Sequence, residues 1–128
     1  MAYQFQVRYP LDTQAYEPDP RSQVLTKDIA NGNYVFVRDV SGELHVLPDG
    51  IHLHPKILGR GAPATYAGDM IILNGMVTDL TNCSGTFQFE DRDGLREVAA
   101  EIRALSLAVA THGVRYFPTA GGPIEVLE

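Results

Sequence analysis

The chain has 128 residues, of which 45% are hydrophobic and 20% are charged, and its formal net charge is −6 at pH 7. These values are typical of one globular domain with its own core, and the ten scattered basic residues argue against a nucleic-acid backbone or an anionic membrane as a partner. Because Cys83 is the single cysteine, the chain cannot form an internal disulfide. The sequence shows no signal peptide, which would have a basic segment followed by an apolar one, and no apolar run of about 18 residues that could span a membrane. We therefore expect a cytoplasmic protein.

The first third of the chain predicts short β elements separated by turns. Residues 3–9 alternate between apolar and polar side chains, which predicts a half-buried strand that ends at Pro10. Residues 10–21 predict a proline-rich loop or arm. Residues 22–29 fit either a short strand or one helical turn, and residues 31–33 predict a turn.

A β-hairpin is predicted next. Residues 34–40 are rich in β-branched and aromatic side chains, and residues 43–47 supply the returning strand after a Ser41-Gly42 connector. We expect the first of these strands to serve as an apolar sheet edge that pairs with a partner or with a second copy of the chain. Turns or loops are predicted at residues 48–50 and 59–63.

The dipeptide Asn74-Gly75 is the most informative local signal in the sequence. Both residues tolerate a positive φ, which a type I′ turn requires at its two central positions, so the flanking segments are predicted to form a tight hairpin. Both faces of that hairpin carry apolar side chains, and we therefore expect other elements to cover it on each side. A two-residue turn implies the following pairs: Leu73 with Met76, Ile72 with Val77, Ile71 with Thr78, and Asp69 with Leu80.

After the hairpin the pattern changes from β to helical. A turn at residues 81–85 and a third strand at residues 86–89 complete a predicted meander. A helix begins at Asp91 or Asp93, either of which can accept hydrogen bonds from the first turn. Gly113 is the expected left-handed C-cap, with His112 beside the helix C-terminus. The helix has an apolar face and a charged face, formed respectively by Leu95, Val98, Ala99, Ile102, Leu105 and Val109 and by Arg96, Glu97, Glu101 and Arg103.

Residues 114–117 predict a last strand, and residues 118–128 a flexible C-terminal tail. Together the elements predict one α+β domain that spans residues 1–128. We expect a mainly antiparallel sheet of hairpins and a meander, with one C-terminal amphipathic helix packed on it and followed by the last strand.

Two histidines, His52 and His54, are candidate metal ligands. On a strand they point to the same side and can share one ion, for which Zn²⁺ is the candidate, although we expect no cofactor. The pattern resembles the metal strand of cupins, but the glutamate that follows the histidines there and the second histidine motif are missing. His45, Asp49 or Asp69 can supply a third ligand, and the spacing does not choose among them. One hydrogen-bonded histidine beside an exposed one is the simpler interpretation.

Other candidate site residues lie in two loops. Cys83 or Ser84 can act as a nucleophile in a tight turn if a histidine from elsewhere activates it, although the same residue types also make ordinary turns, and the turn interpretation is favoured. The loop Gly59-Arg60-Gly61 can present backbone N–H groups and a guanidinium to an anion, but an exposed loop arginine is the simpler interpretation. On the predicted helix, Glu97 and Glu101 are expected to be solvated.

Several short strings occur in a recognisable order along the chain. They are His54, Gly-Ala-Pro at residues 61–63, Ala-Gly-Asp at 67–69, Asn-Gly-Met-Val at 74–77 and Asn-Cys-Ser-Gly-Thr-Phe at 82–87. With the helix and strand that follow, this order resembles a segment of bacterial polymorphic toxins and secreted effector-like proteins. The resemblance covers residues 52–117 and implies a context of bacterial conflict or effector systems, without a reaction. The family pattern has a histidine near its end where this chain has Thr86, which argues against catalysis.

Three functions remain open on the sequence. The first is a small binding or accessory domain for a protein or small ligand, compatible with a homodimer, whose candidate contacts are His52, His54, Arg60, Asp69, Asn82, Ser84 and Thr86. The second is a hydrolase or transferase that uses His52 or His54 with Ser84 or Cys83 in one cleft. The third is a metal-binding protein that uses His52 and His54. The hairpin register predicts that four candidates cluster at the end away from the Asn-Gly turn, namely His54, Asp69, Asn82 and Ser84.

Overall fold

The computed structural model of the chain describes residues 7–11, 16–50, 54–84, 87–118 and 120–128. These ranges contain eight strands and two helices. The strands are β1 (Gln23–Val24), β2 (Gly32–Arg38), β3 (Leu44–Pro48), β4 (Tyr66–Leu73), β5 (Met76–Thr81), β6 (Ala108–Val109), β7 (Val114–Tyr116) and β8 (Glu125–Val126). The helices are α1 (His54–Leu58) and α2 (Arg92–Ala104).

All eight strands belong to one sheet. Its order is β1-β3-β2-β4-β5-β7-β8, and β6 pairs with β5 outside this path. β5 runs parallel to β6 and to β7, whereas the other pairs are antiparallel. The described part of the chain is therefore α+β with a mostly antiparallel sheet, as predicted. Neither of its helices combines the length and the apolar character that crossing a membrane requires.

The first predicted hairpin forms, but it lies inside the sheet. Val35 of β2 pairs with Leu47 of β3, and the connection is longer than two residues because β2 ends at Arg38 and β3 begins at Leu44. On its other side β2 pairs with β4 along its whole length. The expectation that this apolar strand is a free sheet edge is therefore wrong, since its backbone pairs with a strand on each side and residues 34–38 are buried.

The Asn74-Gly75 turn has the predicted geometry. Asn74 has φ 50° and Gly75 has φ 75°, the two positive values that a type I′ turn requires. The two pairs closest to the turn also match the prediction, namely Leu73 with Met76 and Ile72 with Val77.

Further from the turn the register shifts by one residue. The observed pairs are Ile71 with Asp79 and Met70 with Leu80, in place of the predicted pairs Ile71 with Thr78 and Asp69 with Leu80. The extra residue, Thr78, forms a β-bulge. Val77 and Leu80 are three residues apart and would lie on opposite faces of a regular strand, but both are fully buried. The bulge turns both side chains toward the core, which explains why the regular register fails.

One face of the β4–β5 hairpin is open near its turn. Met70 and Ile72 are buried, whereas Ile71, Leu73 and Met76 are 39%, 52% and 38% exposed. The helix that precedes β4, α1, has only five residues and packs against β2 and β3. The prediction that both faces of the hairpin are covered is therefore wrong at this end of the sheet.

Helix α2 begins as predicted. The side chain of Asp91 accepts a hydrogen bond from the backbone N–H of Gly94 at 3.0 Å, which makes Asp91 the N-cap. The predicted apolar face of the helix is buried, with Leu95, Val98, Ala99 and Ile102 all inaccessible to solvent.

The helix ends earlier than predicted. It stops at Ala104, and Ser106 takes a φ of 70° in the turn that follows. Val109 belongs to β6 instead, where it pairs with Val77 of β5. Gly113 is therefore not the C-cap. His112, in a later turn with φ 62°, does not lie beside the helix C-terminus.

Glu97 and Glu101 are not simply solvated. Both face Arg38 of β2, whose side chain is only 2% exposed. Nη1 of Arg38 donates to Oε1 of Glu101 at 2.9 Å, its Nη2 lies 3.7 Å from Oε1 of Glu97, and its Nε donates to Oγ1 of Thr65 at 2.9 Å. A buried guanidinium needs such partners, so the carboxylates turn toward it.

The C-terminal residues carry structure that the sequence did not predict. Residues 118–128, predicted to be a tail, contain β8, and the backbone N–H of Leu127 donates to the carbonyl of Val114 at 2.8 Å. Residues 87–89, by contrast, are irregular rather than the predicted third strand, although Phe87 and Phe89 are buried.

The predicted first strand and arm fall partly outside the described residues. Residues 3–6 and 12–15 are among those not described. Arg8 forms an isolated antiparallel bridge with Ala64, while Val7 and Tyr9, predicted on the buried face, are exposed. Within residues 10–21, the backbone N–H of Asp19 donates to the carbonyl of Lys56 at 2.9 Å, so this part of the arm lies against α1.

Candidate functional site

A cleft of about 190 Å³ opens on the sheet next to the exposed apolar residues of the hairpin. Three aspartates line it: Asp49 after β3, Asp69 in β4 and Asp79 in β5. Arg115 of β7 and Cys83 lie along the same cleft. The cleft therefore gathers polar groups from β4, β5 and β7 and from the segments that follow β3 and β5.

Asp69 has a perturbed carboxyl group. Burial, followed by the nearby charges of Asp49 and Asp79, raises its pKa to about 6 from an ordinary value of 3.8. Its side chain remains 42% exposed, so the group is accessible. At neutral pH this carboxylate is ionised in a place that disfavours negative charge, and a nearby cation would stabilise it.

His54 approaches Asp69 but bonds elsewhere. Its Nε2 lies 2.8 Å from the carbonyl oxygen of Gly68 and 3.6 Å from Oδ1 of Asp69, so the hydrogen bond goes to the backbone. Burial lowers the His54 pKa, although the bond to Gly68 acts in the opposite direction. A neutral imidazole whose Nε2–H faces a carbonyl holds the start of α1 against β4.

The predicted histidine pair is not formed on a strand. His54 begins a helix, so the alternation that would place both imidazoles on one side does not apply to it. His52 lies outside the described residues.

Asp79 and Arg115 also line the cleft and are paired with each other. The guanidinium donates two hydrogen bonds to the carboxylate, each 2.7 Å long. The same guanidinium lies 5.3 Å from the ring centre of Phe117. A bidentate pair of this kind fixes both side chains, so Asp79 presents a rigid edge to the cleft.

Asn82 is a structural residue. It is buried, its Nδ2 donates to the carbonyls of Phe89 and Phe117, and its Oδ1 accepts from the backbone N–H of Phe117 at 2.7 Å. These bonds join the segment after β5 to the end of β7. The carboxamide is therefore engaged inside the protein instead of facing a ligand as predicted.

Ser84 and Cys83 show no activation. The hydroxyl of Ser84 accepts from the backbone N–H of Phe87 at 3.1 Å, as in an ordinary turn. Burial raises the pKa of the Cys83 thiol, an effect that a hydrogen bond with Thr81 opposes. Among the described residues no hydrogen bond or ion pair joins His54 to either side chain. Thr86 lies outside the described residues.

Arg60 has the geometry of an exposed loop arginine. Its side chain is 78% exposed and lies 3.6 Å from Glu17, while its backbone N–H donates to the carbonyl of Tyr16. That N–H is therefore not available to an anion. The positive φ values of Gly59 and Gly61, 77° and 70°, shape the loop around it.

The structure thus brings together some predicted residues and adds others. His54 and Asp69 are neighbours as predicted, whereas Asn82 and Ser84 serve the turn that leaves β5. Residues that the sequence did not assign to a site are Asp79, Arg115 and Phe117. For Asp79 and Arg115, a sequence signal is the presence of a charged residue inside a strand with apolar neighbours, namely Leu80 beside Asp79 and Val114 and Tyr116 beside Arg115.

Comparison of the chain with models of known protein families, with curated proteins and with solved structures gave no match.

Proposed function

We propose that this chain is a small protein-binding module whose partner surface is the open face of the sheet beside the Asn74-Gly75 turn. The observation that carries the proposal is the exposure of Ile71, Leu73 and Met76 next to an acidic cleft. The partner that fits this surface is a basic protein segment with apolar residues between its basic ones.

The three apolar side chains form a continuous strip. Leu73 and Met76 face each other across the two strands, and Ile71 lies two residues further along the same face. An exposed apolar patch beside polar groups is typical of an interaction site. Covering what remains exposed of each side chain contributes on the order of 1 kcal/mol to binding.

Charge selects a basic partner. The cleft is lined by three aspartates, Asp49, Asp69 and Asp79, of which Asp79 is paired with Arg115, and the whole chain carries a net charge of −6. A lysine or arginine of the partner can lay its aliphatic stem on the apolar strip and place its charged end in the cleft. Such complementarity raises association rates and excludes acidic partners.

The proposal includes α2 as the layer that covers the opposite face of the sheet. Support comes from the burial of its apolar face, from the bond between Arg38 and Glu101, and from the hydroxyl of Tyr66, which donates to the carbonyl of Asp91 at 3.0 Å. With one face of β4 and β5 covered in this way, a partner has the other face to bind.

A hydrolase or transferase has less support. It requires a nucleophile activated by His54, and the hydroxyl of Ser84 is engaged in a turn while burial raises the pKa of the Cys83 thiol. A metal site at His54 also has less support, because Nε2 faces the carbonyl of Gly68.

The biological setting that we propose is a bacterial effector, immunity or defence system. It rests on the resemblance over residues 52–117. Genes for a toxin, an immunity protein or a defence system beside the coding sequence would support this setting, and a neighbourhood of unrelated metabolic genes would count against it.

Two matched peptides test the partner chemistry. We would titrate ¹⁵N-labelled protein with acetyl-Lys-Leu-Lys-Leu-Lys-amide and with an acidic control peptide, in which each lysine is replaced by glutamate. We expect the basic peptide to shift the backbone amide signals of β4, β5 and Arg115, and the acidic peptide to leave them unchanged. L73S and D69N should each weaken binding of the basic peptide several-fold.

Val40 supplies the matched control, because it is exposed and apolar but lies in the loop after β2. V40S should bind the basic peptide as the wild type does. Equal binding of both peptides, or signal shifts outside the open face, would contradict the proposal. Light scattering across a concentration series tests whether a second copy of the chain binds this surface. If the protein dimerises and L73S abolishes the dimer, the partner of the open face is a second copy and not a basic protein segment.

A further inference from the structure

Three side chains of the types that ligate metal ions lie at the other end of the sheet, where β2 turns into β3. Asp39, Glu43 and His45 place ligand atoms within 4.8 Å of one another. Nε2 of His45 lies 2.8 Å from Oδ2 of Asp39 and 3.7 Å from Oε1 of Glu43. The imidazole nitrogen thus faces two carboxylates at once.

The loop holds Asp39 in one orientation. Its Oδ1 accepts three hydrogen bonds, from the backbone N–H and the hydroxyl of Ser41 at 2.9 and 2.6 Å and from the backbone N–H of Glu43 at 3.0 Å. These bonds leave Oδ2 directed at His45. Supporting hydrogen bonds of this kind are what fix a carboxylate ligand in a metal centre.

We propose that Asp39, Glu43 and His45 bind one divalent transition-metal ion, with Zn²⁺ as the best fit. In a tetrahedral zinc site with bonds of about 2.0 Å, neighbouring ligand atoms lie about 3.3 Å apart. The two observed separations, 2.8 and 3.7 Å, lie on either side of that value, so small side-chain rotations would admit an ion. A nitrogen donor favours Zn²⁺ over Mg²⁺ or Ca²⁺, which prefer oxygen ligands alone.

The fourth coordination position would be open to solvent or to a further ligand. A cavity of about 330 Å³ borders Glu43 and is also lined by Ser41, Gly42 and Glu101. Three protein ligands beside such a space are the arrangement of an accessible zinc site rather than a closed structural one. The site does not depend on the proposed partner surface, because the two share no residue.

Calorimetry on protein purified without a histidine tag tests the site. We would titrate chelator-treated, dialysed protein with ZnCl₂ at pH 7 and expect one ion per chain. H45Q and E43Q should each raise the Kd for zinc about 10- to 100-fold or more, since each removes a ligand. Asp39 is left intact in these variants because its Oδ1 also holds the loop.

H112Q is the matched control, since His112 is exposed in a distant turn. It should bind zinc as the wild type does. Long-range ¹H–¹⁵N spectra of the imidazoles give a second readout: zinc should move the Nε2 signal of His45 and leave that of His54. No stoichiometric binding, unchanged affinity in H45Q and E43Q, or loss of binding in H54Q instead would each overturn the proposal.

Discussion

The carboxamide of Asn31 holds Asn74 from outside the hairpin. Its Oδ1 accepts from the backbone N–H of Asn74 at 2.7 Å, and its Nδ2 donates to Oδ1 of Asn74 at 3.3 Å. Asn31 directly precedes β2, which pairs with β4. The Asn-Gly turn, which lies between Leu73 and Met76, is therefore fixed by contacts with the residue before β2 as well as by its own backbone angles.

Replacing Asn31 should loosen this arrangement. N31A leaves the Asn74 N–H to solvent, and we expect the free energy of unfolding to fall by about 1 kcal/mol, the net value of an ordinary hydrogen bond. Urea denaturation measures the change. N33A, at an exposed asparagine two residues further along, is the control and should change stability by less than about 0.5 kcal/mol. Equal effects in the two variants would show that the contact with Asn74 is of no consequence.

Arg38 should be among the most sensitive positions. R38Q removes a buried guanidinium and leaves Glu101 and Thr65 without its hydrogen bonds, so we expect a loss of about 3–5 kcal/mol. R96Q, which breaks the exposed ion pair with Asp93, should cost less than about 1 kcal/mol. Chemical denaturation compares the two. A loss below about 1 kcal/mol in R38Q would mean that the buried bonds do not stabilise the fold.

The sequence could predict the parts of the fold that depend on local chemistry. The positive φ of Asn74 and Gly75 and the cap at Asp91 follow from residue type and its nearest neighbours. The bulge at Thr78 does not, because it arises from the need to bury both Val77 and Leu80 against elements far along the chain. The predicted register is therefore correct for the two pairs closest to the turn and wrong further from it.

The candidate site was predicted only in part for a related reason. His54 and Asp69 meet because the chain enters β4 beside α1, which the hairpin register suggested. Arg115 reaches Asp79 because β7 runs parallel to β5, and a parallel pair joined by a helix leaves no local sequence signal of its neighbours. Arg115 and Phe117, which arrive through that crossover, are therefore among the residues that the sequence did not assign to a site.

Asp69 should make stability depend on pH. Burial and two neighbouring aspartates raise its pKa to about 6, above the ordinary value of 3.8. Between these values the folded protein keeps a proton that the unfolded chain has released, so this group lowers the free energy of unfolding as the pH rises through that range. D69N removes the effect, and we expect it to be more stable than the wild type at pH 7.5 and about equal to it near pH 3.5.

Urea denaturation of both proteins across this range provides the measurement, and the difference between them cancels the titration of other groups. D28N, at an exposed aspartate, is the control and should follow the wild-type pH dependence. A gap between D69N and the wild type that is the same at pH 3.5 and pH 7.5 would contradict the raised pKa.

Gly68 allows β4 to approach the end of β5 closely, because it has no Cβ atom. A Cβ at this position would lie 1.9 Å from the carbonyl oxygen of Thr81, so G68A must push the backbone apart. We expect a loss of about 1–3 kcal/mol or more, as for other overpacked positions. G61A is the control, since a Cβ there meets nothing within 4 Å and adds only the strain of a positive φ, about 1 kcal/mol. Thermal unfolding ranks the two, and equal losses would mean that the close approach at Gly68 is relaxed easily.

Cys83 distinguishes a structural thiol from a catalytic one. Burial raises its pKa, so at pH 7.5 the folded protein should hold less thiolate than a free cysteine does. We expect iodoacetamide to alkylate the folded protein more slowly than the same protein in urea, and the folded rate to rise as the pH approaches 9. Mass spectrometry of timed samples gives both rates. Alkylation that is faster in the folded protein than in urea would reveal an activated thiolate, and it would favour the hydrolase or transferase over the binding module.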